Sequence, residues 1–226
     1  MDETRTELLI GKDGAEKLKK ANIAVIGVGG VGGYVCHMLA RSGIENLTIV
    51  DFDIVSPSNC NRQVVADSQT IGQSKVDVMK SQLEKINPQI KVVVWKEKIC
   101  PENFEKILLK DFDYVIDCID DVKNKVDMIV FCKKHNIKIL SAMGAGNRYD
   151  IPKFYLTDIF KTHDDGLAKA IRKRLRAEGV KDLEVVTCDS KTQKCEGAVG
   201  SISYYPAMCG ITISAVVINK LLKEGL

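Results

Sequence analysis

The residues best placed to do chemistry lie in a glycine-rich turn at positions 27–32. Residues 23–26 before the turn are all apolar, as in a buried parallel strand, and apolar side chains recur at helical spacing after it. A strand, a glycine turn and a helix N-terminus in this order can hold a phosphate. Glycine lets the backbone approach the anion, and unpaired helical N–H groups point towards it. The glycines concerned are Gly27, Gly29, Gly30 and Gly32.

A second apolar run, residues 47–50, ends in Asp51. A carboxylate at this point meets the ribose hydroxyls of a nucleotide whose phosphates the glycine turn holds. The glycine pattern alone is weak evidence. Its place between a strand and a helix, with an acid at the next strand end, indicates an adenine nucleotide. A tight turn without a ligand and a capping role for Asp51 are the alternatives.

Three acids, Asp117, Asp120 and Asp121, follow a further apolar run at residues 114–116. Like charges this close repel one another unless a cation is near, which favours a divalent metal ion at Asp120. The alternative is a solvated turn on the surface.

These residues must be positioned by the alternating elements around them. The pattern predicts strands at 23–26, 47–50, 91–95, 114–116 and 137–140, and helices at 34–42, 74–86, 101–110 and 124–135. This alternation predicts an α/β, Rossmann-like ATP-binding fold, with a mostly parallel central sheet and helices on both faces. Ligands of such sheets bind outside the carboxyl ends of the strands.

The pattern is looser after residue 146, where a strand is expected at 154–159, a basic helix at 166–178, a strand at 184–187 and an apolar helix at 206–222. Residues 188–200 have no period and are expected to form a mobile loop. We expect a single domain over 1–226, with the nucleotide-binding core in 1–150 and substrate-side and dimer-side elements in 151–226.

The composition and charge of the chain limit the classes of function that it can have. With 226 residues, of which 45% are hydrophobic, the chain can bury a sizeable core, and a net charge of +3 does not indicate a general polyanion binder. A charged N-terminus and the absence of any run of 18 apolar residues predict a cytoplasmic protein with no membrane partner. None of the eight cysteines has C-x-x-C spacing, so no zinc is expected.

Three motifs together resemble the adenylating family of ubiquitin-activating enzymes and their bacterial relatives ThiF, MoeB and HesA. They are the glycine turn, the Asp51–Asp53 acids followed by the Ser58–Gln63 segment, and the acids at 117–120. Lys75 lies where that family keeps a phosphate-binding lysine. The match covers about residues 5–150. A dinucleotide dehydrogenase has no reason to carry the Asn-x-x-Arg-Gln segment.

The resemblance implies ATP and Mg²⁺ as cofactors and assigns roles to individual residues. It makes Asp120 the magnesium ligand, and it places Arg5 in the partner site of a homodimer. The implied catalytic residues are Arg5, Arg62, Lys75 and Asp120, and the implied nucleotide contacts are Gly27, Gly29, Gly30, Gly32, Asp51, Asp53, Asn59, Arg62, Gln63 and Lys75.

Within the family, the chain is most similar to the tRNA threonylcarbamoyladenosine dehydratases, on the segments 5–11, 141–147 and 158–162. This implies ATP-dependent cyclisation of a modified adenosine next to the tRNA anticodon. Two departures stand out: the C-x-x-C pairs of many relatives are absent, and Asp121 stands where many relatives have Asn. Either Cys188 or Cys195 could trap an acyl group, and the basic helix is either a tRNA contact or a solvated face.

Three other functions are compatible with parts of the sequence. The first is an adenylyltransferase that activates the C-terminus of a ubiquitin-like sulfur-carrier protein, with a sulfur-carrier or cysteine-desulfurase system protein as partner. The second is a nucleotide-binding regulator without catalysis, which would have no need of Arg62, Lys75 and Asp120. The third is an NAD oxidoreductase, which is disfavoured because no substrate domain follows the glycine turn.

Overall fold

One seven-stranded sheet organises the chain. In the computed structural model, which describes residues 1–197 and 199–223, the sheet has the strand order β3-β2-β1-β4-β5-β7-β6. The strands are β1 (Asn22–Ile26), β2 (Asn46–Val50), β3 (Lys91–Trp95), β4 (Tyr114–Asp117), β5 (Ile139–Ala142), β6 (Phe154–Asp158) and β7 (Glu184–Cys188). All neighbours pair in parallel except β6, which is antiparallel to β7. The predicted mostly parallel sheet is confirmed.

Seven α-helices accompany the strands within the described residues. They are α1 (Thr4–Lys20), α2 (Gly32–Arg41), α3 (Lys75–Ile86), α4 (Phe104–Leu108), α5 (Val122–Lys134), α6 (Gly166–Ala177) and α7 (Tyr204–Lys223). Helix α1 is interrupted at Gly11, whose φ of 75° lies in the left-handed region. The predicted helix at 101–110 is shorter, because a 3₁₀ turn at Pro101–Asn103 precedes α4.

The helices cover both faces of the sheet, as predicted. Side chains of α1, α2, α3 and α7 pack with alternate residues of β1 and β2, such as Val25 and Ile49. Side chains of α4, α5 and α6 pack on the opposite face against residues such as Ala24 and Ile26. Because both faces of the central strands are buried, these strands read as continuous apolar runs in the sequence.

The chain reverses its direction of travel across the sheet between β1 and β4. It moves outward from β1 through β2 to β3 and then returns to place β4 on the other side of β1. The loops that leave β1 and β4 therefore separate at their carboxyl ends. Such a switch point opens the crevice in which ligands of these folds bind.

Helix α7 is the most apolar of the helices and closes the described part of the chain. By length and composition it meets the requirements of a membrane span, but half of it is buried inside the protein. At its closest approach to α2, a Cβ at Gly210 would lie 2.5 Å from the Val31 carbonyl oxygen. Its buried face therefore belongs to the core that supports the glycine turn.

Candidate active site

The glycine turn lies at the switch point, between the end of β1 and the start of α2. Gly27 has a φ of +92°, and its N–H donates to the carbonyl oxygen of Val50 on β2 at 2.8 Å. A Cβ at Gly32 would lie 1.8 Å from the Gly27 carbonyl oxygen, so no side chain fits there. By contrast, a Cβ at Gly29 would meet nothing closer than 3.9 Å. The backbone at position 29 is therefore open on the side where a phosphate would approach.

Asp51 ties the glycine turn to the end of β2. The Val28 N–H donates to Asp51 Oδ2 at 2.7 Å, and the Asp53 N–H donates to Asp51 Oδ1 at 2.8 Å. Burial raises the pKa of the Asp51 carboxyl above its ordinary value, against the lowering effect of the two N–H donors. Each oxygen keeps lone pairs that a ribose hydroxyl can use.

Residues 54–74 form a long loop whose two ends meet. Ile54 and Ser74 form an isolated bridge, and the Val55 N–H donates to the Gln73 carbonyl oxygen at 2.8 Å. Because the two ends of the loop meet, Lys75, the first residue of α3, lies next to Asp53. The Lys75 backbone N–H donates to the Asp53 carbonyl oxygen at 3.1 Å. The loop therefore leaves the end of β2 and returns to it.

The tip of this loop carries the Asn-x-x-Arg-Gln segment to the glycine turn. Asn59 is buried, and its Oδ1 accepts the Ser56 N–H at 3.0 Å, so this amide organises the turn. The Arg62 side chain passes beside Gly30, and its Nη1 donates to the Ser58 carbonyl oxygen at 2.8 Å. Gln63 lies beside Gly29, and its buried Oε1 has no hydrogen-bond partner in the described part of the chain.

Lys75 is buried and not solvated, although most lysines are exposed. Its Nζ lies 2.7 Å from Asp53 Oδ2, and the Asp53 side chain is 46% exposed. A solvated surface role for Lys75 is therefore excluded. The Asp53 side of this ion pair is accessible to solvent, and the pair lies next to the Asp51 carboxylate.

Two of the three clustered acids are paired or capping and do not support the predicted metal ion at Asp120. Asp117 lies inside the protein and pairs with Lys125 at 2.8 Å. Asp121 caps α5 by accepting the Asn124 N–H, and it pairs with Lys98 at 3.3 Å. The described residues contain no cluster of three or more His, Cys, Asp or Glu side chains that could hold a metal. Asp120 remains as one exposed carboxylate that makes no hydrogen bond or ion pair with the described residues.

Two buried basic residues were missed by the sequence reasoning. Lys125 is fully buried on α5, and Arg148 is 3% exposed and donates to the Cys188 carbonyl oxygen at 2.6 Å. A signal existed for Lys125: together with Met128, Ile129 and Cys132 it forms a stripe at helical spacing that is otherwise apolar. The Arg148 contacts join segments 40 residues apart, and no local pattern indicates them.

The structure does not bring Arg5 together with the other predicted site residues. Arg5 is exposed near the start of α1, and it makes no hydrogen bond or ion pair with the described residues. Close by, Leu8 and Leu9 are 82% and 85% exposed. The role of Arg5 in a second subunit stays a prediction.

The two cysteines considered for acyl transfer have different environments. Cys188 is buried at the end of β7, with its Sγ 3.1 Å from Ser190 Oγ and 3.3 Å from the Tyr205 hydroxyl. Burial raises the pKa of this thiol, but hydrogen bonds from Ser190 and Tyr205 outweigh the effect and leave the pKa below its ordinary value. Cys195 is exposed, and all eight cysteines are free thiols.

Comparisons with known proteins agree with this geometry. A model of the ThiF family matches residues 4–225, beyond the 5–150 covered by the motifs. The tRNA threonylcarbamoyladenosine dehydratase of Bacillus subtilis (strain 168) is 37% identical over an alignment of 240 residues. The alignment covers 98% of this chain and 94% of that protein.

Solved structures extend the similarity to the whole fold. Crystal structures of E. coli tRNA N6-threonylcarbamoyladenosine dehydratase in complex with AMP and with ATP match with TM-scores of 0.92 and 0.91. The identity is 29%, over 97% of this chain and 93% of that chain.

The molybdopterin-synthase adenylyltransferase of Haemophilus influenzae is 32% identical over 163 residues, or 72% of this chain and 66% of that protein.

Proposed function

The chain belongs to the ThiF family, and we propose that it is an ATP-dependent tRNA threonylcarbamoyladenosine dehydratase. The observation that carries the proposal is full-length similarity to proteins of that name, one of which has been solved with ATP and with AMP. The switch-point site supports it, because the described residues there offer an open glycine turn, a partly buried carboxylate and two cationic side chains. We further propose that residues 1–226 act as one domain.

In the first step, the carboxylate of the threonylcarbamoyl group attacks the α-phosphorus of ATP. A P–O bond forms to the carboxylate, the bond to the leaving oxygen breaks, and pyrophosphate departs from the acyl-adenylate. Negative charge gathers on the phosphate oxygens in the transition state, and preplaced cations and N–H donors stabilise it. Asp51 would hold the ribose, and Arg62 and Lys75 would meet the phosphates.

One unpaired polar group of the site fits this assignment. The buried Gln63 Oε1 has no hydrogen-bond partner among the described residues, and the Nε2 of the same amide lies beside the open backbone of Gly29. Buried polar atoms are nearly always hydrogen-bonded in finished sites. An O–H or N–H donor of a nucleotide bound over the glycine turn would satisfy this oxygen.

Asp120 fits the way in which proteins hold Mg²⁺. This ion is usually bound by one or two carboxylates together with substrate phosphates, and it needs no cage made only of protein ligands. Asp120 is exposed, free of partners among the described residues, and follows the strand that pairs with β1. When bound there, Mg²⁺ would neutralise charge on the phosphate oxygens.

In the second step, a nitrogen of the substrate attacks the activated carbonyl carbon. The ring closes through a new C–N bond, AMP leaves with the electron pair of the acyl–oxygen bond, and the nitrogen loses its proton. The nitrogen and the carbonyl belong to the same side chain, so proximity supplies a large effective concentration. No enzyme cysteine is needed.

Helix α6 is the proposed contact for the tRNA backbone. Arg172 is committed to the Thr162 carbonyl oxygen at 2.6 Å, and the Arg176 guanidinium lies 5.4 Å from the Phe160 ring centroid. The remaining basic side chains of the helix are exposed and can pair with phosphates: Lys169, Lys173 and Arg174. A tRNA substrate would place the reaction in the cytoplasm.

A homodimer is the proposed assembly, because it gives Arg5 a site to act on. The exposed Leu8 and Leu9 of α1 and the partly exposed Met208 and Ile211 of α7 would be covered by a second copy. Arg5 would then reach the phosphates bound by the partner subunit.

The test is mass spectrometry of the nucleosides from tRNA incubated with the protein, ATP and Mg²⁺. We expect threonylcarbamoyladenosine to lose the mass of one water, with one AMP and one pyrophosphate formed per event. Unchanged nucleoside in the presence of bound ATP would refute the proposal. ATP should also raise the melting temperature more than NAD does, because a ligand of the folded state alone stabilises that state.

The alternative, activation of a sulfur-carrier protein, has weaker support. The molybdopterin-synthase adenylyltransferase is matched over a smaller part of both chains than the dehydratase is. A sulfur-carrier or cysteine-desulfurase partner would belong to this alternative. It would be favoured if a carrier protein with a free C-terminus, but not tRNA, stimulated exchange of pyrophosphate into ATP.

A further inference from the structure

A fully buried ion pair at the carboxyl end of β4 is not used by the proposed chemistry. Asp117 ends β4, Lys125 lies on α5, and both side chains are 0% exposed. Lys125 Nζ lies 2.8 Å from Asp117 Oδ2 and donates to the Ile119 carbonyl oxygen at 2.9 Å. The Ile119 N–H donates in turn to Asp117 Oδ1 at 3.3 Å. Both backbone polar groups of Ile119 are therefore held by the pair.

Stability does not explain such a pair. Removing two charges from water costs about as much as their attraction returns, and apolar pairs of similar volume often stabilise a core equally well. The surrounding side chains of α5, including Val126 and Ile129, are apolar and buried. A pair in this position is better explained by the geometry that it imposes on the Ile119 backbone.

The segment held by the pair is the turn between β4 and α5, residues 118–121. Its first residue, Cys118, donates its N–H to the Ile26 carbonyl oxygen at 2.8 Å, and its own carbonyl would lie 3.0 Å from a Cβ at Gly27. Its last residue, Asp121, is fixed as the cap of α5. Asp120 stands between Ile119 and Asp121, so its backbone is held on both sides while its carboxylate stays free.

We propose that Asp117 and Lys125 are positioning residues that hold the 118–121 turn, and with it the Asp120 carboxylate, in place beside the glycine turn. The inference rests on the proposed function, since it gives Asp120 its role at the nucleotide phosphates. A turn that shifts by about 1 Å can cost on the order of a hundredfold in rate without changing any reacting group.

The test is the double variant Asp117→Asn/Lys125→Met, which removes both charges and nearly conserves volume. Calorimetry should show that ATP alone binds with less than about a threefold change in affinity, because Asp51, Arg62 and Lys75 are intact. The gain in ATP affinity on adding Mg²⁺ should disappear. The kcat of cyclisation, measured at saturating ATP and Mg²⁺, should fall by about a hundredfold.

Two further variants separate positioning from folding. Lys125→Arg keeps a cation with donors and should retain more of the Mg²⁺ effect than Lys125→Met. Lys133→Met is the matched control, because Lys133 is on the same helix and pairs with Asp182 at its opposite end. This control should leave the Mg²⁺ effect and kcat unchanged.

The proposal is overturned if the double variant keeps both the Mg²⁺ effect and kcat. It is also overturned if the double variant fails to fold under conditions in which the cavity variant Ile107→Ala folds, because the pair would then serve stability alone. The calorimetric readout needs no tRNA. A wild-type protein that binds ATP with Mg²⁺ but leaves the nucleoside intact would therefore refute the proposed function and not this inference.

Discussion

Two lysine–aspartate ion pairs lie at the carboxyl edge of the sheet. Their nitrogen–oxygen distances are almost the same, but one pair is partly exposed to solvent and the other is fully buried. In the open pair, Asp53 and Lys75 lie 2.7 Å apart and the Asp53 side chain is 46% exposed. In the sealed pair, Asp117 and Lys125 lie 2.8 Å apart and neither side chain is exposed. The nitrogen–oxygen distance therefore does not distinguish the roles of the two pairs, but their access to solvent does.

The energetic consequences differ in the same way. Asp53 in the open pair is reached by water, so it can stay solvated when Lys75 exchanges it for a phosphate. Breaking a sealed pair leaves a buried charge without compensation, at a cost of about 3–5 kcal/mol. The open pair suits a group that binds and releases a ligand, and the sealed pair suits a fixed support.

The largest expected effect tests the open pair. Lys75→Ala should lower kcat/KM for cyclisation by on the order of a hundredfold to a thousandfold, because a cation aimed at the transferring phosphates is lost. The melting temperature should change little. Lys133→Ala, which removes a lysine from a surface pair, is the control. A variant that loses stability but keeps its activity would reverse the roles that we give to the two pairs.

The next effect tests the turn held by the sealed pair. Asp120→Asn should lower kcat by about a hundredfold, because it removes the negative charge of a Mg²⁺ ligand. Asp121→Asn is the same change at the next residue, and Asn caps helices as well as Asp does, so this variant should stay within about threefold of wild type. Steady-state rates at saturating ATP measure both. Equal losses in the two variants would contradict the role of Asp120.

The surroundings of the open pair could be predicted from sequence because their signals are local. Apolar runs indicated the strands, the four glycines indicated the turn, and Asp51 followed the next strand directly. Lys75 itself was found only through the family resemblance, since nothing local distinguishes it from a surface lysine. Closure of the 54–74 loop, which brings it to Asp53, depends on contacts between the two ends of that loop.

The sealed pair could not be predicted from the acids alone. Counting Asp117 and Asp121 as free charges overstated the evidence for a metal ion at Asp120, because the cations that pair with these two acids come from other segments. Lys98 lies 23 residues before Asp121 in the chain, and Lys125 becomes a partner of Asp117 only when α5 packs on the sheet. Periodicity reports that a side chain is buried, and it does not report which charge that side chain meets.

A smaller effect concerns Asp51, which is partly buried next to the open pair. Burial raises its pKa from the ordinary value of 3.8, and only the ionised form accepts both ribose hydroxyls. As the pH falls through this raised pKa, the carboxylate takes up a proton and nucleoside affinity should fall by a few-fold. Adenosine is the probe, because it carries the ribose hydroxyls but no phosphate that titrates.

Calorimetry between pH 7 and acidic pH measures this effect, and Asp51→Asn is the control. The variant should bind adenosine more weakly at neutral pH and show no comparable loss as the pH falls. The assignment of Asp51 to the ribose fails if wild type and variant have the same pH dependence. The open pair would then lie beside a carboxylate with a purely structural role, since Asp51 also accepts the Val28 and Asp53 N–H groups.

The smallest effect is expected from the thiols on the substrate side. Cys188→Ser/Cys195→Ser should keep cyclisation within about twofold of wild type, because ring closure within one substrate side chain gains nothing from a thioester step. The swap is mild in structural terms: a serine hydroxyl in place of the Cys188 thiol can keep the contacts with Ser190 and Tyr205, and Cys195 is exposed.

The lowered pKa of Cys188 favours a reactive thiolate, but its burial denies access to a bulky acyl-adenylate. Single-turnover assays that follow AMP release and cyclic nucleoside together measure the outcome. Adenylate that accumulates in the double variant without cyclisation would make a thioester carrier the better mechanism and would move the second step from the switch point to the end of β7.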